Sequence, residues 1–311
     1  MARSMAEEQD VRKPALPRRP AVSMLRRIGI HTSVAGGVEN AAERAWRLGC
    51  NAFQIFSSSP RQWKAAEISP ARAVAFCQLR SRYRLKPLVI HANYLINLAG
   101  SDAELRRRSV AAFRKEVERA MLLRTEFLVV HPGSFRGGTR AAGIARVPES
   151  VARAADGFDL AACGLTILIE NTAGAGCSLG APFEEVAALV QRLGSHVPAG
   201  ACIDTCHTHV AGYDIVSEDG YAATLAELEA TVGLGNVRVW HANDAKAARG
   251  SRLDRHQHIG RGMIGREAFR RLLRDPRLAH AAFIAETPID RPGDDRRNVT
   301  MLRRLAGEGI G

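Results

Sequence analysis

Eight short apolar runs, each ending in a polar or ionisable cluster, constrain this chain more than any other feature. They are Ile28–His31, Ala52–Ser57, Leu88–His91, Phe127–His131, Thr166–Glu170, Ala201–Asp204, Val237–His241 and Phe283–Glu286. Runs of four to six residues rich in Ile, Val and Phe suit parallel strands buried on both faces. Stretches with helical spacing lie between them, among others Val38–Leu48, Asp102–Leu123, Pro182–Leu193 and Arg266–Leu273. The alternation predicts an α/β fold, a (β/α)8 TIM barrel with its active site at the C-terminal ends of the strands. A doubly wound open sheet is the competing architecture, but it feeds a site from only a few strand ends. Here nearly every run ends in His, Asp or Glu. The 311 residues fit a single barrel domain over residues 27–311, preceded by a disordered basic tail, 1–26, that holds Pro14, Pro17 and Pro20.

Composition removes several classes of function. With 46% hydrophobic residues the body is not a disordered chain, and no apolar run approaches the length of a membrane span. The six cysteines are scattered, and no signal peptide is visible, which together predict a reducing cytoplasm. The formal net charge of +12 points to a polyanionic partner. That excess is carried by Arg, 39 of 44 basic residues, a skew that genomic base composition also produces.

The strand ends carry the chemistry. His91, His131, Glu170, Asp204 with His207, His241 and Glu286 come from six consecutive runs, with no Lys among them. One His at a strand end is ordinarily a hydrogen-bonded structural residue. Burying several carboxylates and imidazoles together is a different matter, because it costs several kcal/mol unless cations compensate them. A multi-metal centre is the natural compensation, and mixed imidazole and carboxylate ligands suit zinc, manganese or iron better than magnesium. Asp254 and His256, two apart in an extended loop, point the same way and could chelate an ion with His207; taken alone, a basic loop whose Asp and His merely hydrogen-bond is the more ordinary reading. Cys202 and Cys206 have a spacing loosely like a zinc pair, but no second cysteine pair completes it.

The chain resembles endonuclease IV, the zinc-dependent apurinic/apyrimidinic (AP) endonuclease family of DNA base excision repair. The matching segments run from Gly29-Ile-His-Thr-Ser33 and Arg61-Gln-Trp63 through His91-Ala-Asn-Tyr-Leu-Ile-Asn-Leu-Ala99, His131-Pro-Gly-Ser134 and Glu170-Asn-Thr-Ala-Gly174. They continue with Asp204-Thr-Cys-His207, His241-Ala-Asn-Asp244, Gly250-Ser-Arg-Leu-Asp-Arg-His256 and Glu286-Thr-Pro288. The resemblance implies three Zn2+ ions per chain, with Mn2+ admissible at some sites. His91 and His131 would hold one ion, Glu170 would bridge it to a second held by Asp204, His241 and Glu286, and His207, Asp254 and His256 would hold the third. It further implies Glu170 as a catalytic residue, and hydrolysis of the phosphodiester 5′ to an abasic site by metal-activated hydroxide, leaving a 3′-hydroxyl and a 5′-deoxyribose phosphate. The expected partner is double-stranded DNA containing abasic sites, bound by a monomer, with Arg61, Tyr94 and Leu95 inserted into the base stack.

Two departures from the family pattern stand out. Ser57-Ser-Ser-Pro60 replaces a Lys-Asn stretch, and His209 replaces an aromatic residue. His31, His196, His258 and His280 are expected to serve structure or to support the ligands. The rival function is a divalent-metal sugar isomerase or epimerase on the same barrel, which would not need Asp254 and His256. A protein that binds lesions without cutting them would not need Glu170.

Overall fold

The structure is a computed structural model that describes residues 25–64 and 67–308. Residues 1–24, most of the expected tail, lie outside the described residues; Arg26 is already tied to the body through its backbone N–H to Glu308 and its guanidinium to the Asp275 carbonyl. Strands β1 (Arg27–Ile30), β2 (Phe53–Phe56), β3 (Leu88–His91), β4 (Phe127–Val130), β5 (Thr166–Glu170), β6 (Ala199–Asp204) and β7 (Val237–His241) alternate with helices. A two-stranded ribbon, β8 (Asp244–Ala245) and β9 (His256–Gln257), follows, and then the eighth barrel strand, β10 (Ala282–Ala285). The helices are α1 (Glu39–Arg47), α2 (Pro70–Tyr83), α3 (Ala103–Leu122), α4 (Arg140–Ala155), α5 (Phe183–Leu193), α6 (Thr205–Ala211), α7 (Glu218–Thr231), α8 (Gly265–Arg274) and α9 (Asp294–Ala306).

All barrel strands are parallel and neighbours in sequence are neighbours in space, with β10 pairing both β7 and β1. Closure between β1 and β2 rests on the isolated bridge of His31 with Gln54, on the Thr32 N–H donating to the Gln54 carbonyl at 2.8 Å, and on the Asn51 N–H donating to the Ile28 carbonyl at 3.1 Å. The expected (β/α)8 barrel is therefore the fold. Observed strands agree with the eight apolar runs to within about two residues.

Two cores hold it. Outward-facing strand residues such as Ile28, Ile55, Ile90, Leu128, Ile167, Ile203 and Phe283 pack against the helices in one large cluster. Inside the barrel, Ala52, Val89, Val129, Leu168, Cys202, Val239, Ala282 and Ile284 form a separate apolar plug. Gly29 belongs at that level because a side chain there would meet the Ala52 carbonyl at 2.1 Å. Strand side chains alternate between faces, so the residue two positions beyond Gly29, and beyond the last plug residue of each other strand, also points inward, one layer higher. Those residues are His31, Gln54, His91, His131, Glu170, Asp204, His241 and Glu286. The pleat alone thus lifts an ionisable layer onto an apolar floor.

Candidate metal centre

Glu170 stands at the middle of the upper layer, buried at the end of β5. Its Oε2 lies 3.1 Å from His91 Nε2 and 3.6 Å from His131 Nε2. Its Oε1 lies 3.0 Å from His241 Nδ1 and 3.4 Å from His207 Nδ1. One carboxylate therefore faces two sets of nitrogens. His91, His131 and Glu170 bring ligand atoms within 4.8 Å of one another, as do Glu170, Asp204, His241 and Glu286. A further set gathers Asp204, His207 and His256. Asp254 joins it across the loop, 3.2 Å from His207 Nε2 and 3.3 Å from His256 Nε2. The nine side chains expected as ligands thus lie together at one end of the barrel, in overlapping sets, with Asp204 in both the set of His241 and that of His207 and His256.

The ring orientations are set from behind. Carbonyl oxygens accept hydrogen bonds and cannot donate them, so the ring nitrogen facing one carries the proton. His91 Nδ1 donates to the Ala92 carbonyl, His207 Nδ1 to that of Asn171, and His256 Nδ1 to that of Glu286. Each leaves Nε2 for the cavity. His241 is turned the other way: its Nε2 donates to Gln54 Oε1 at 2.8 Å, leaving Nδ1 toward Glu170 and Glu286. The Asp204 carboxylate caps α6 by accepting from the His207 N–H at 2.8 Å, which fixes His207 on the first turn beside the strand end.

The electrostatics ask for cations. Burial would push the Glu170 carboxyl up, yet the His241 and His131 imidazoles outweigh it and hold Glu170 well below the usual range. Against burial, Asp204 and Asp254 raise His207 well above an ordinary histidine and bring His256 to about 9. Burial lowers His131 to about 4, so that ring is a neutral donor at pH 7. Without metal, protonated imidazoles are the available counter-charge for the buried carboxylates. His256 Nε2 is buried facing the Asp254 carboxylate at 3.3 Å, an ion pair whose positive partner a bound cation would replace. The donor set fits divalent metal. Cys202 reaches the group of Glu170 and His241, and Cys206 that of Asp254 and His256. Burial pushes both thiols up to about 12, which disfavours the thiolate that a zinc ligand must be.

A family model described as xylose isomerase-like TIM barrel matches residues 42–305. A probable endonuclease 4 of Solibacter usitatus is 50% identical over 286 residues, covering 91% of this chain and 98% of the relative. The chain belongs to the endonuclease IV family. A probable endonuclease 4 of Chloroflexus aurantiacus is 45% identical over 282 residues, covering 90% of this chain and 98% of the relative. The crystal structure of endonuclease IV from Thermus thermophilus superposes with a TM-score of 0.79 at 42% identity, covering 91% of this chain and all of that one. A D-tagatose 3-epimerase-like protein reaches a TM-score of 0.67 at 20% identity, covering 90% of this chain and 97% of that one, and shares the fold alone.

Endonuclease IV membership makes the chain a metal-dependent nuclease, and sets aside the sugar isomerase alternative. No helix among the described residues is long and apolar enough to cross a membrane. Of the three residues expected to probe DNA, Tyr94 is 57% exposed on the rim, its ring against Phe56 at 5.1 Å and His91 at 5.5 Å. Leu95 is half-buried beside it, and Arg61 is exposed on the loop after β2. The departures have separate fates. Ser57 is buried against Glu116 and Arg119 of α3. His209 is buried on α6 with neither ring nitrogen hydrogen-bonded.

Three supporting amides escape a reading of charges. The Gln54 amide N–H donates to Glu286 Oε1 at 2.6 Å, while its carbonyl orients His241. Asn243 donates to Asp204 Oδ2 at 2.6 Å and accepts from the Glu286 N–H at 2.7 Å. Asn171 Oδ1 accepts from the Asp204 N–H at 2.7 Å. The sequence carried a signal for Gln54: an amide inside an apolar strand, in register with the plug.

Proposed function

We propose that this chain is an AP endonuclease of DNA base excision repair, cutting the phosphodiester 5′ to an abasic site to leave a 3′-hydroxyl and a 5′-deoxyribose phosphate. The carrying observation is the double-faced Glu170, with each carboxylate oxygen turned to a different pair of imidazoles. In this reading three zinc ions would be held, one by His91 and His131 and one by Asp204, His241 and Glu286, with Glu170 available to both groups. His207, Asp254 and His256 would hold the third. Cations held there supply a nucleophile at neutral pH and neutralise charge on phosphoryl oxygens.

The chain itself supplies geometry. Gln54, Asn243 and the carbonyls behind the rings hold the ligands in one tautomer and one direction, which raises their basicity toward metal. The apolar plug keeps water from the floor. Asp254, on an exposed loop, completes its group from the side on which DNA arrives. Arg61, Tyr94 and Leu95 are the residues assigned to the DNA stack, where they help to extrude the abasic nucleotide. The basic surface charge makes binding salt-dependent.

The test is an incision assay with the purified chain, a duplex carrying one synthetic abasic analogue, and no added magnesium. Expected are cleavage with a 3′-hydroxyl and a 5′-phosphate-bearing end, loss of activity on chelation, and recovery with zinc. Protein with about three zinc ions per chain that leaves the duplex whole overturns the proposal.

A further inference from the structure

The loop after β2 is held far more firmly than a surface loop requires, and one side chain does most of the holding. Asn93, buried behind the rim, donates from Nδ2 to the Ser59 carbonyl at 3.1 Å and to the Gln62 carbonyl at 2.6 Å. Its Oδ1 accepts from the Leu95 N–H at 2.8 Å. One amide therefore ties the turn that carries Arg61 to the segment that carries Tyr94 and Leu95. The start of the loop is anchored separately: Arg119 Nε donates to Ser57 Oγ at 2.6 Å, Ser57 donates to Glu116, and Arg119 and Glu116 pair at 3.0 Å. At its other end the Arg108 guanidinium lies 4.6 Å from the Trp63 ring centre. Between these anchors Arg61 has no hydrogen bond or ion pair to the described residues and stands exposed at the crest.

We propose that Asn93 is a positioning residue that locks the Arg61 turn to the Tyr94–Leu95 segment, so that both meet DNA as one preformed probe. The inference rests on the DNA-contacting reading of Arg61, Tyr94 and Leu95 given above. The chemistry asks for an amide. Two carbonyls need two N–H donors and the Leu95 N–H needs an acceptor; Asn offers both, whereas Asp offers no donor when ionised and Ala offers neither. A loop released from the clamp must be ordered by DNA instead, and fixing even one extra backbone residue on binding weakens affinity about tenfold. Asn93 touches no proposed metal ligand through these bonds, so the chemical step is spared.

The experiment uses the zinc-loaded full chain with the abasic duplex, carrying 2-aminopurine beside the lesion to report unstacking. Asn93→Asp keeps the acceptor for Leu95 and loses the donors; Asn93→Ala loses both. Each is expected to raise KM about tenfold, leave kcat within about twofold and zinc content unchanged, and reduce the 2-aminopurine signal at a given enzyme concentration. In an Arg61→Ala background, Asn93→Asp is expected to add less than a further twofold to KM, because the clamp acts through that arginine. Unchanged KM in folded, zinc-replete Asn93→Asp, or a fall in kcat alone, overturns the clamp. Should Asn93→Ala not fold, Asn93→Asp decides. If the wild-type chain incises but Arg61→Ala has wild-type KM, the reading of Arg61 has failed, and the proposal falls with it. If the wild type does not incise, the AP endonuclease reading itself has failed.

Discussion

Both ends of the barrel bury charge, and they do so in opposite ways. At the N-terminal ends of β3 and β4, the Arg80 guanidinium is finished by the chain itself. It donates to the carbonyls of Leu85, Leu123 and Arg124, and its Nη2 reaches both oxygens of Glu126, at 2.9 and 2.7 Å. Glu126 in turn accepts from the Leu88 N–H. At the C-terminal ends, Glu170 faces four imidazoles that sit among further carboxylates, and Asp254 lies between His207 and His256 at 3.2 and 3.3 Å. Buried charge that serves the fold is closed within it, whereas buried charge that serves chemistry is left open toward something brought from outside. This matches the division of labour between the two faces of such barrels.

The contrast can be broken by experiment. Glu170→Gln removes the shared carboxylate and is expected to lower incision at least ~10³-fold, since metal-borne charge stabilisation is worth several kcal/mol. DNA binding and circular dichroism should stay close to wild type; a variant that cuts normally shows that Glu170 is not shared between metal groups. Arg80→Met should do the reverse. Leaving Glu126 with only Lys86, at 3.8 Å, as its ion-pair partner, and three carbonyls without their donor, is expected to cost about 3 kcal/mol in denaturant unfolding, with kcat per folded, zinc-loaded molecule unchanged. A large loss of kcat in folded Arg80→Met would erase the distinction between the two ends.

Smaller effects sharpen it. Gln54→Leu should leave the barrel folded and weaken zinc binding about 10–100-fold in competition with a chromogenic chelator, because the amide orients His241 and Glu286. Wild-type zinc affinity would show that the amide is ordinary packing. His209→Phe lies next to the centre but outside it. Removing two unsatisfied buried nitrogens should raise stability by about 1 kcal/mol with zinc content unchanged. A loss of zinc on that substitution would place His209 inside the functional set.

The barrel was legible because each strand is buried on both faces and so appears as a compact apolar run. Several runs lose their last residue, among them His131 and Glu286, which fall one position beyond the strand hydrogen bonding, and β6 begins two residues before the run at Ala201. The proposed ligands stood out in the sequence because charge has no apolar excuse for lying at a buried strand end. Gln54 stood out only as an amide inside an apolar strand, with nothing to name its partners, and Asn93 did not stand out at all, because its worth lies in which carbonyls fold back onto it. The ribbon of β8 and β9 was read as an extended loop; with two residues in each strand it has no periodicity to detect. Asp244 pins that region by accepting from the backbone N–H groups of Gly260, Gly262 and Ile264, which long-range contact alone reveals.

The pairing of β10 with both β1 and β7 also bears on how the molecule matures during synthesis. Until β10 emerges, β1 has an open edge, exposed to wrong partners. Glu286 follows β10 directly, so the chain gains its last proposed ligand in the same event that closes the sheet. A nascent molecule that has made the first seven barrel strands is therefore both unclosed and unable to complete the Asp204–His241–Glu286 group. Competence for metal and completion of the fold arrive together, and a half-made copy has no finished centre with which to attack DNA.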